Sequence, residues 1–205
     1  MVTKVYNTYA FNNEPIWEEV TEEKLTFSHW DSEVQYNTYF KMCFVKNKGI
    51  FLKMRTDEAV LRKVCLKIDE PVYEDSCMEF FIAPIEGEEG YINFEMNPNG
   101  VYLSQFGKGK FDRVFLKEIT DNVPVVAAKE NSDGWSLELF VPCELISDVF
   151  KTNFDAGECR IKGNFYKCGD KTEKVHYTSF NEMTTLPPGF HNPSRFALIC
   201  VKERK

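Results

Sequence analysis

Three polar side chains fall at strand-like spacing in neighbouring stretches. Glu79 sits in the run Cys77-Met78-Glu79-Phe80-Phe81-Ile82, and Asn93 and Glu95 sit in Tyr91-Ile92-Asn93-Phe94-Glu95-Met96. Side chains alternate faces along a strand. Met78, Phe80 and Ile82 then share an apolar face, as do Ile92, Phe94 and Met96. Glu79, Tyr91, Asn93 and Glu95 point the other way. With the two strands adjacent through the Ala83–Gly90 loop, these groups form one polar patch. In Ile161–Cys168 the same parity buries Ile161 and Phe165 and turns Asn164 and Tyr166 to the opposite side. A face of amides, carboxylates and aromatic rings, poor in Lys, Ser and Thr, differs from an ordinary solvated face. It suits a hydroxyl-rich ligand, whose C–H surfaces pack on rings and whose hydroxyls meet fixed planar hydrogen-bonding groups. The competing chemistry is hydrolysis. Glu79 and Glu95, about 5 Å apart on adjacent strands, have the separation of a retaining glycosidase pair.

Other chemistries find less support. His29, His176 and His191 show no HxxxH spacing for a metalloprotease. A Cys168–His176 thiol–imidazole pair has no evident third group to orient it, and Asp170 is the expected partner of His176. Gly107-Lys108-Gly109-Lys110 lacks the glycine spacing and the following Ser or Thr of a phosphate loop. The seven cysteines form no CxxC pair, so they read as buried free thiols rather than zinc ligands.

The elements that must carry the polar face are short. Alternating runs separated by Gly, Pro, Asn and Asp recur along the 205 residues, the pattern of sandwiches and barrels. Strands are expected at Val34–Val45, Ile50–Arg55, Ser76–Ile82, Tyr91–Met96, Val101–Phe106, Val123–Glu130, Trp135–Val141, Ile161–Cys168, Val175–Phe180 and Arg195–Lys202. Lys46-Asn47-Lys48-Gly49 and Asn131-Ser132-Asp133-Gly134 are hairpin turns. Thr56–Lys67 and Pro142–Phe150 are the helical candidates. Trp135 alternates with Leu137 and Leu139 and belongs to the core. Trp17 reads as an N-terminal anchor, and Trp30 stays open. Leu186-Pro187-Pro188-Gly189 is too short to divide the chain. The expected fold is all-β: a single domain over residues 1–205, a two-sheet antiparallel β-sandwich of jelly-roll type with one or two short helices.

Composition narrows the partners. Hydrophobic residues make up 43% of the chain and aromatics 15%, with 18 phenylalanines, which is enough to bury a core and favours strands. The net charge of −7 and the lack of a basic stripe argue against nucleic acid and anionic membranes, which are bound through Lys and Arg. No signal-peptide pattern opens the chain and no apolar run is long enough to span a bilayer. With the unpaired cysteines, this gives an expectation of a cytoplasmic location.

The same segments, Asp75–Ile82 and Tyr91–Asn97, together with Trp135–Leu139 followed by Val141-Pro142, Asn164–Asp170 preceding His176-Tyr177, and Phe190–Pro193 with Phe196, resemble the family 9 carbohydrate-binding modules. The resemblance runs from about Trp17 to the C-terminus. It implies a β-sandwich holding a plant-type glucan or xylan-derived sugar without catalysis, in a domain type often attached to polysaccharide-degrading enzymes. By the resemblance, Glu79 is the carboxylate of the strand motif, Tyr73 stands where a stacking aromatic is expected, and Asn164 is the matching amide. The second stacking aromatic is missing, with Lys167 near its place. No cofactor is implied. Structural calcium stays open, because family members carry it but no compact ligand string is present here. The ligand set so expected is Tyr73, Glu79, Tyr91, Asn93, Glu95, Asn164 and Tyr166. The alternatives are a glycoside hydrolase using Glu79 and Glu95, and an interaction scaffold whose sugar site has decayed.

Overall fold

The computed structural model describes residues 3–184 and 188–204. Part of the Leu186–Gly189 stretch thus lies outside the described residues. Fourteen strands occur among these residues: β1 (Val5–Phe11), β2 (Glu23–Lys24), β3 (Phe27–Ser28), β4 (Thr38–Val45), β5 (Gly49–Thr56), β6 (Cys77–Ala83), β7 (Tyr91–Met96), β8 (Tyr102–Gly107), β9 (Val114–Phe115), β10 (Val125–Asn131), β11 (Gly134–Pro142), β12 (Cys159–Gly169), β13 (His176–Ser179) and β14 (Ala197–Glu203). The one α-helix, α1, spans Cys143–Phe150.

The ladder runs β10-β11-β5-β4-β1-β14-β12-β6-β7-β8-β9. It is one hydrogen-bonded sheet curled into a β-sandwich, with β1 and β14 at the fold line. Phe40 of β4 stacks on Phe165 of β12 at 3.6 Å. Phe165 in turn stacks on Phe80 of β6 at 4.9 Å. Met42, Leu52, Leu139, Ile82, Phe94 and Ile199 complete this central core. The inward parity assigned to Met78, Phe80, Ile82, Ile92, Phe94 and Met96 holds, and Trp135 is 1% exposed in the same core.

Two hairpins show why particular residues sit at the turns. The β10–β11 ladder closes on the pair Asn131 and Gly134. Gly134 takes φ +151°, and a Cβ there would stand 2.0 Å from the Thr56 carbonyl. Gly49, opening β5, is confined in the same way against the Val141 carbonyl. Only glycine tolerates such backbone approach. Helix α1 buries Leu145, Ile146 and Val149 and stops at Lys151, which adopts the left-handed conformation at φ +54°.

The structure departs from the sequence reading in three places. Thr56–Lys67 is not helical. After β5 it runs as irregular chain, and the Asp75 carboxylate accepts hydrogen bonds from the amides of Val64 and Cys65. Those side-chain bonds satisfy the backbone in place of a helix ladder. Second, β1 carries a strand that the opening residues did not announce. Third, β1 is parallel to both of its neighbours, β14 and β4, so the otherwise antiparallel sandwich has a parallel seam. Among the described residues no helix is long and apolar enough to cross a membrane.

Candidate functional site

Strands β12, β6, β7 and β8 place the polar candidates in register. Tyr166 is opposite Glu79, Glu79 is opposite Glu95, and Glu95 is opposite Leu103. One step along, Asn164 is opposite Phe81, Phe81 is opposite Asn93, and Asn93 is opposite Gln105. All face away from the central core. This side is not an open sheet surface, however. A second apolar layer, including Val72, Phe81, Tyr91, Tyr166, Phe190 and Phe196, covers it. Both faces of β6 and β7 are buried, which is why these strands read as nearly unbroken buried residues. What remains open is a cleft of about 340 Å³.

The expected ligand residues divide between the cleft and the layer beneath it. Tyr73, Glu79 and Glu95 line the cleft. Tyr73 reaches it from the 3-10 turn Val72–Glu74. Asn93 is fully buried, where its Nδ2 donates to Glu95 Oε1 at 3.0 Å and its Oδ1 accepts from Arg113. The Tyr91 hydroxyl bonds His191 Nδ1 at 2.8 Å and donates to the Gly109 carbonyl at 3.3 Å. Tyr166 stacks on Phe190 at 4.1 Å, 15° between planes, and that ring, rather than Tyr166, reaches the cleft. Asn164 Nδ2 donates to the Asn181 carbonyl, and its Oδ1 accepts from the amides of Phe165 and Asn181. Asn164 thus ties the Asn181 segment to β12.

Several cleft residues escaped the sequence reading. Arg113 arrives from the connection between β8 and β9. Its guanidinium donates to the carbonyls of Gln105 at 2.8 Å and Gly107 at 3.2 Å. It also lies over the Tyr91 ring at 4.2 Å. Tyr177 of β13 is paired with Cys168 and packs edge-on against Trp30 at 5.1 Å. Trp30, which the sequence left open, lines the cleft and holds a left-handed backbone at φ +50°. Parity along Val175–Phe180 could have found Tyr177, because it falls on the same face as Cys168 and Glu79. Arg113 gave no such signal, since β9 has two residues and no periodicity. Lys167, expected near a stacking position, is instead fully buried on the other side of β12, paired with Glu58 at 2.8 Å. His176 bonds Lys167 at 2.6 Å rather than Asp170. Cys168 faces the cleft and donates to Glu79 Oε1 at 2.9 Å, so no Cys168–His176 pair forms.

Burial dominates the electrostatics. Desolvation pushes Glu79 well above the usual carboxylate range, helped by the neighbouring Cys168 and Glu95. Glu95 is pushed up to about 8 by burial, against the opposing pull of Arg113 and the Asn93 hydrogen bond. Asp170 is also raised, again by burial. Desolvation holds His191 down at about 3, with Arg113 and Lys110 adding to it. The floor therefore sets acids whose ionisation burial disfavours beside the Arg113 guanidinium. Two of its buried polar atoms, Glu95 Oε2 and Arg113 Nε, have no hydrogen-bond partner among the described residues. Two buried hydroxyls away from the cleft, Ser104 and Thr178, share that condition. Orphaned charged-type groups are the more costly, and both of these belong to residues that line the cleft.

Comparisons with known proteins agree with this geometry. Among curated proteins, none matches the chain. The structure superposes with a TM-score of 0.82 on a candidate carbohydrate-binding protein from Bacteroides uniformis, at 24% identity over 98% of this chain and 100% of that one. It is also similar to a carbohydrate-binding module of family 9 from Caldicellulosiruptor kristjanssonii. That module's cellotriose complex gives a TM-score of 0.68 at 14% identity, covering 97% of this chain and 95% of the other. Its glucose complex gives 0.67 at 14% identity, covering 97% of each. At these identities the likeness speaks for the fold. The sequence itself matches the model for carbohydrate-binding family 9 over residues 16–201. That span contains β2 to β13 and every cleft residue described above, and by it the chain belongs to carbohydrate-binding family 9.

Proposed function

We propose that this protein binds a plant-type glucan or xylan-derived sugar in the cleft and does not hydrolyse it. The observation that carries the reading is the cleft lining itself, in which the Glu79, Glu95 and Arg113 side chains stand beside the exposed Tyr73 ring and the Trp30–Tyr177–Phe190 cluster. Hydroxyls both donate and accept, so a sugar satisfies a carboxyl oxygen and a guanidinium N–H together. The rings supply flat apolar surface for the sugar C–H face. Asn93 sets the orientation of both polar groups from below. The structural neighbours solved with cellotriose and glucose support the choice of sugar class.

The arrangement of the acids supports binding without hydrolysis. Glu79 and Glu95 are direct cross-strand partners on one sheet face, so both approach a ligand from below. A hydrolase needs its two carboxyl groups to flank the glycosidic bond. The seven free cysteines suit a reducing compartment, in keeping with a cytoplasmic protein.

A glycan array followed by calorimetry with glucose, cellotriose and xylo-oligosaccharides tests the reading. Saturable binding to at least one of these sugars, with no sugar released from them or from aryl glycosides, is the expected result. Release that disappears in Glu79→Gln would assign a hydrolase instead. Absence of binding to every glycan would leave a scaffold with an intact but unused cleft.

A further inference from the structure

Below the sugar-facing surface lies a group of side chains with a different chemistry. Strands β6 and β12 put Cys77 and Cys168 directly opposite each other, and Glu79 follows Cys77 by two residues on the same face. The two sulfur atoms and a Glu79 carboxyl oxygen all lie within 4.8 Å of one another. Cys168 Sγ donates to Glu79 Oε1 at 2.9 Å, and its other contact is the Tyr73 carbonyl at 3.8 Å. Cys77 Sγ lies 3.8 Å from the Met78 carbonyl and shares a side-chain hydrogen bond with Cys168. No other trio of His, Cys, Asp or Glu among the described residues comes together in this way. The sequence spacing hides the group, because its two cysteines are brought together by strand pairing across 91 positions rather than by a local CxxC.

We propose that Cys77, Cys168 and Glu79 form a binding site for a thiophilic divalent cation of the zinc class. Tetrahedral zinc with Zn–S bonds of about 2.3 Å sets two thiolate sulfurs about 3.8 Å apart, with a carboxylate oxygen slightly closer to each. The trio needs only small side-chain rotations to close on such an ion. All three residues stand on rigid, paired strands, which hold a coordination geometry better than loops do. Cys168 and Glu79 border the cleft while Cys77 lies fully buried behind them. Three ligands therefore come from the protein, and the fourth position opens into the cleft, where water binds. Coordination replaces each S–H bond by a metal–sulfur bond, and the thiol protons pass to solvent. The site is independent of whether the cleft also accepts a sugar, because its readout is the metal alone.

Cadmium and zinc ions added to the reduced protein test this. One equivalent of cadmium should produce the ultraviolet sulfur-to-metal charge-transfer band, and zinc should displace it. Cys77→Ser and Cys168→Ser should each weaken cadmium binding at least tenfold, whereas Cys43→Ser and Cys143→Ser should leave it unchanged. Circular dichroism checks that each variant is folded. Cadmium NMR of the unaltered protein reports the number of bound sulfurs without any substitution, and two are expected. No charge-transfer band in the reduced protein, a cadmium resonance with fewer than two sulfur ligands, or Cys77→Ser and Cys168→Ser variants that bind cadmium as tightly as the unaltered protein would overturn the proposal.

Discussion

Two buried polar clusters sit back to back across β12, one residue apart. On one side, Lys167 Nζ donates to Glu58 Oε2 at 2.8 Å, to the Cys168 carbonyl at 2.9 Å and to His176 Nε2 at 2.6 Å. Glu58 also accepts from Ser76 Oγ at 2.9 Å and from Trp135 Nε1 at 3.3 Å, and His176 Nδ1 donates to the Lys174 carbonyl at 2.8 Å. The charged and ring groups of this cluster have all found partners inside the protein, and only the neutral hydroxyl of Thr178, opposite Lys167, is left without one among the described residues. On the other side, Glu95 and Arg113 each keep an atom without one. Burial alone does not separate the two, since Glu58, Lys167 and His176 are fully buried and Glu79 and Glu95 nearly so. Completeness does. A saturated cluster fixes architecture, here by fastening the irregular Asp57–Ile68 chain to the sheet, whereas an unsaturated one keeps hydrogen-bonding capacity in reserve.

This contrast can be broken by substitution. Lys167→Met leaves the Glu58 carboxylate buried without its cation, and chemical denaturation should show a loss of about 3–5 kcal/mol. A loss below about 1 kcal/mol would mean that the saturated cluster is not what holds that side together. On the cleft side, Tyr73→Ala and Tyr177→Ala should weaken sugar binding tenfold or more, about 1–3 kcal/mol by analogy with other ring-stacking contacts. Tyr73→Ala should leave the unfolding midpoint almost unmoved, because that ring is 39% exposed. Calorimetry that finds wild-type affinity in Tyr73→Ala removes it from the site. Arg113→Met should cost binding by about 1–3 kcal/mol, the scale of a lost hydrogen bond to a charged group, while stability changes less than in Lys167→Met.

A pH titration of stability sharpens the same contrast from the saturated side. Burial first, and the Lys167 cation second, hold His176 at about 4, below its ordinary value of 6.5. The unfolded chain therefore takes up a proton near pH 6.5 while the native protein refuses it until about pH 4. Stability is retained above 6.5 and is lost as the pH falls through that window, by about 1.4 kcal/mol per pH unit at its steepest. His191, held at about 3, adds to the loss in the same direction. Glu95, raised to about 8, and Glu79, raised by burial, act in the opposite direction over the same range, so the share of His176 is read from the difference between the unaltered protein and His176→Gln; identical pH profiles for the two would show that His176 does not carry this linkage.

The strand periodicity made much of this arrangement readable in advance. Tyr91–Met96 is a strand with the expected bounds, and the parity of Glu79 and Glu95 put both on the side where the cleft lies. Parity cannot say what covers a face, so Asn93, Tyr91, Tyr166 and Asn164 were grouped with the cleft residues although loops and second-layer rings separate them from it. The residues that close the cleft, Arg113, Asp170 and His191, stand on short or irregular segments whose positions depend on tertiary contacts rather than on period. Lys167 illustrates the limit of local reasoning. A lysine on a strand reads as exposed, and only Glu58, 109 residues earlier in the chain, explains why it is buried.

The parallel seam has a mechanical corollary. Six consecutive residues of β1, Val5 to Ala10, are matched with Leu198 to Glu203 of β14, and because the strands run the same way, their outer ends lie at opposite limits of the pairing. Tension applied between the two ends of the chain would load these bonds together in shear instead of peeling them one by one. A protein pulled on while holding an immobile polymer would resist rupture along that line before any other strand is stressed.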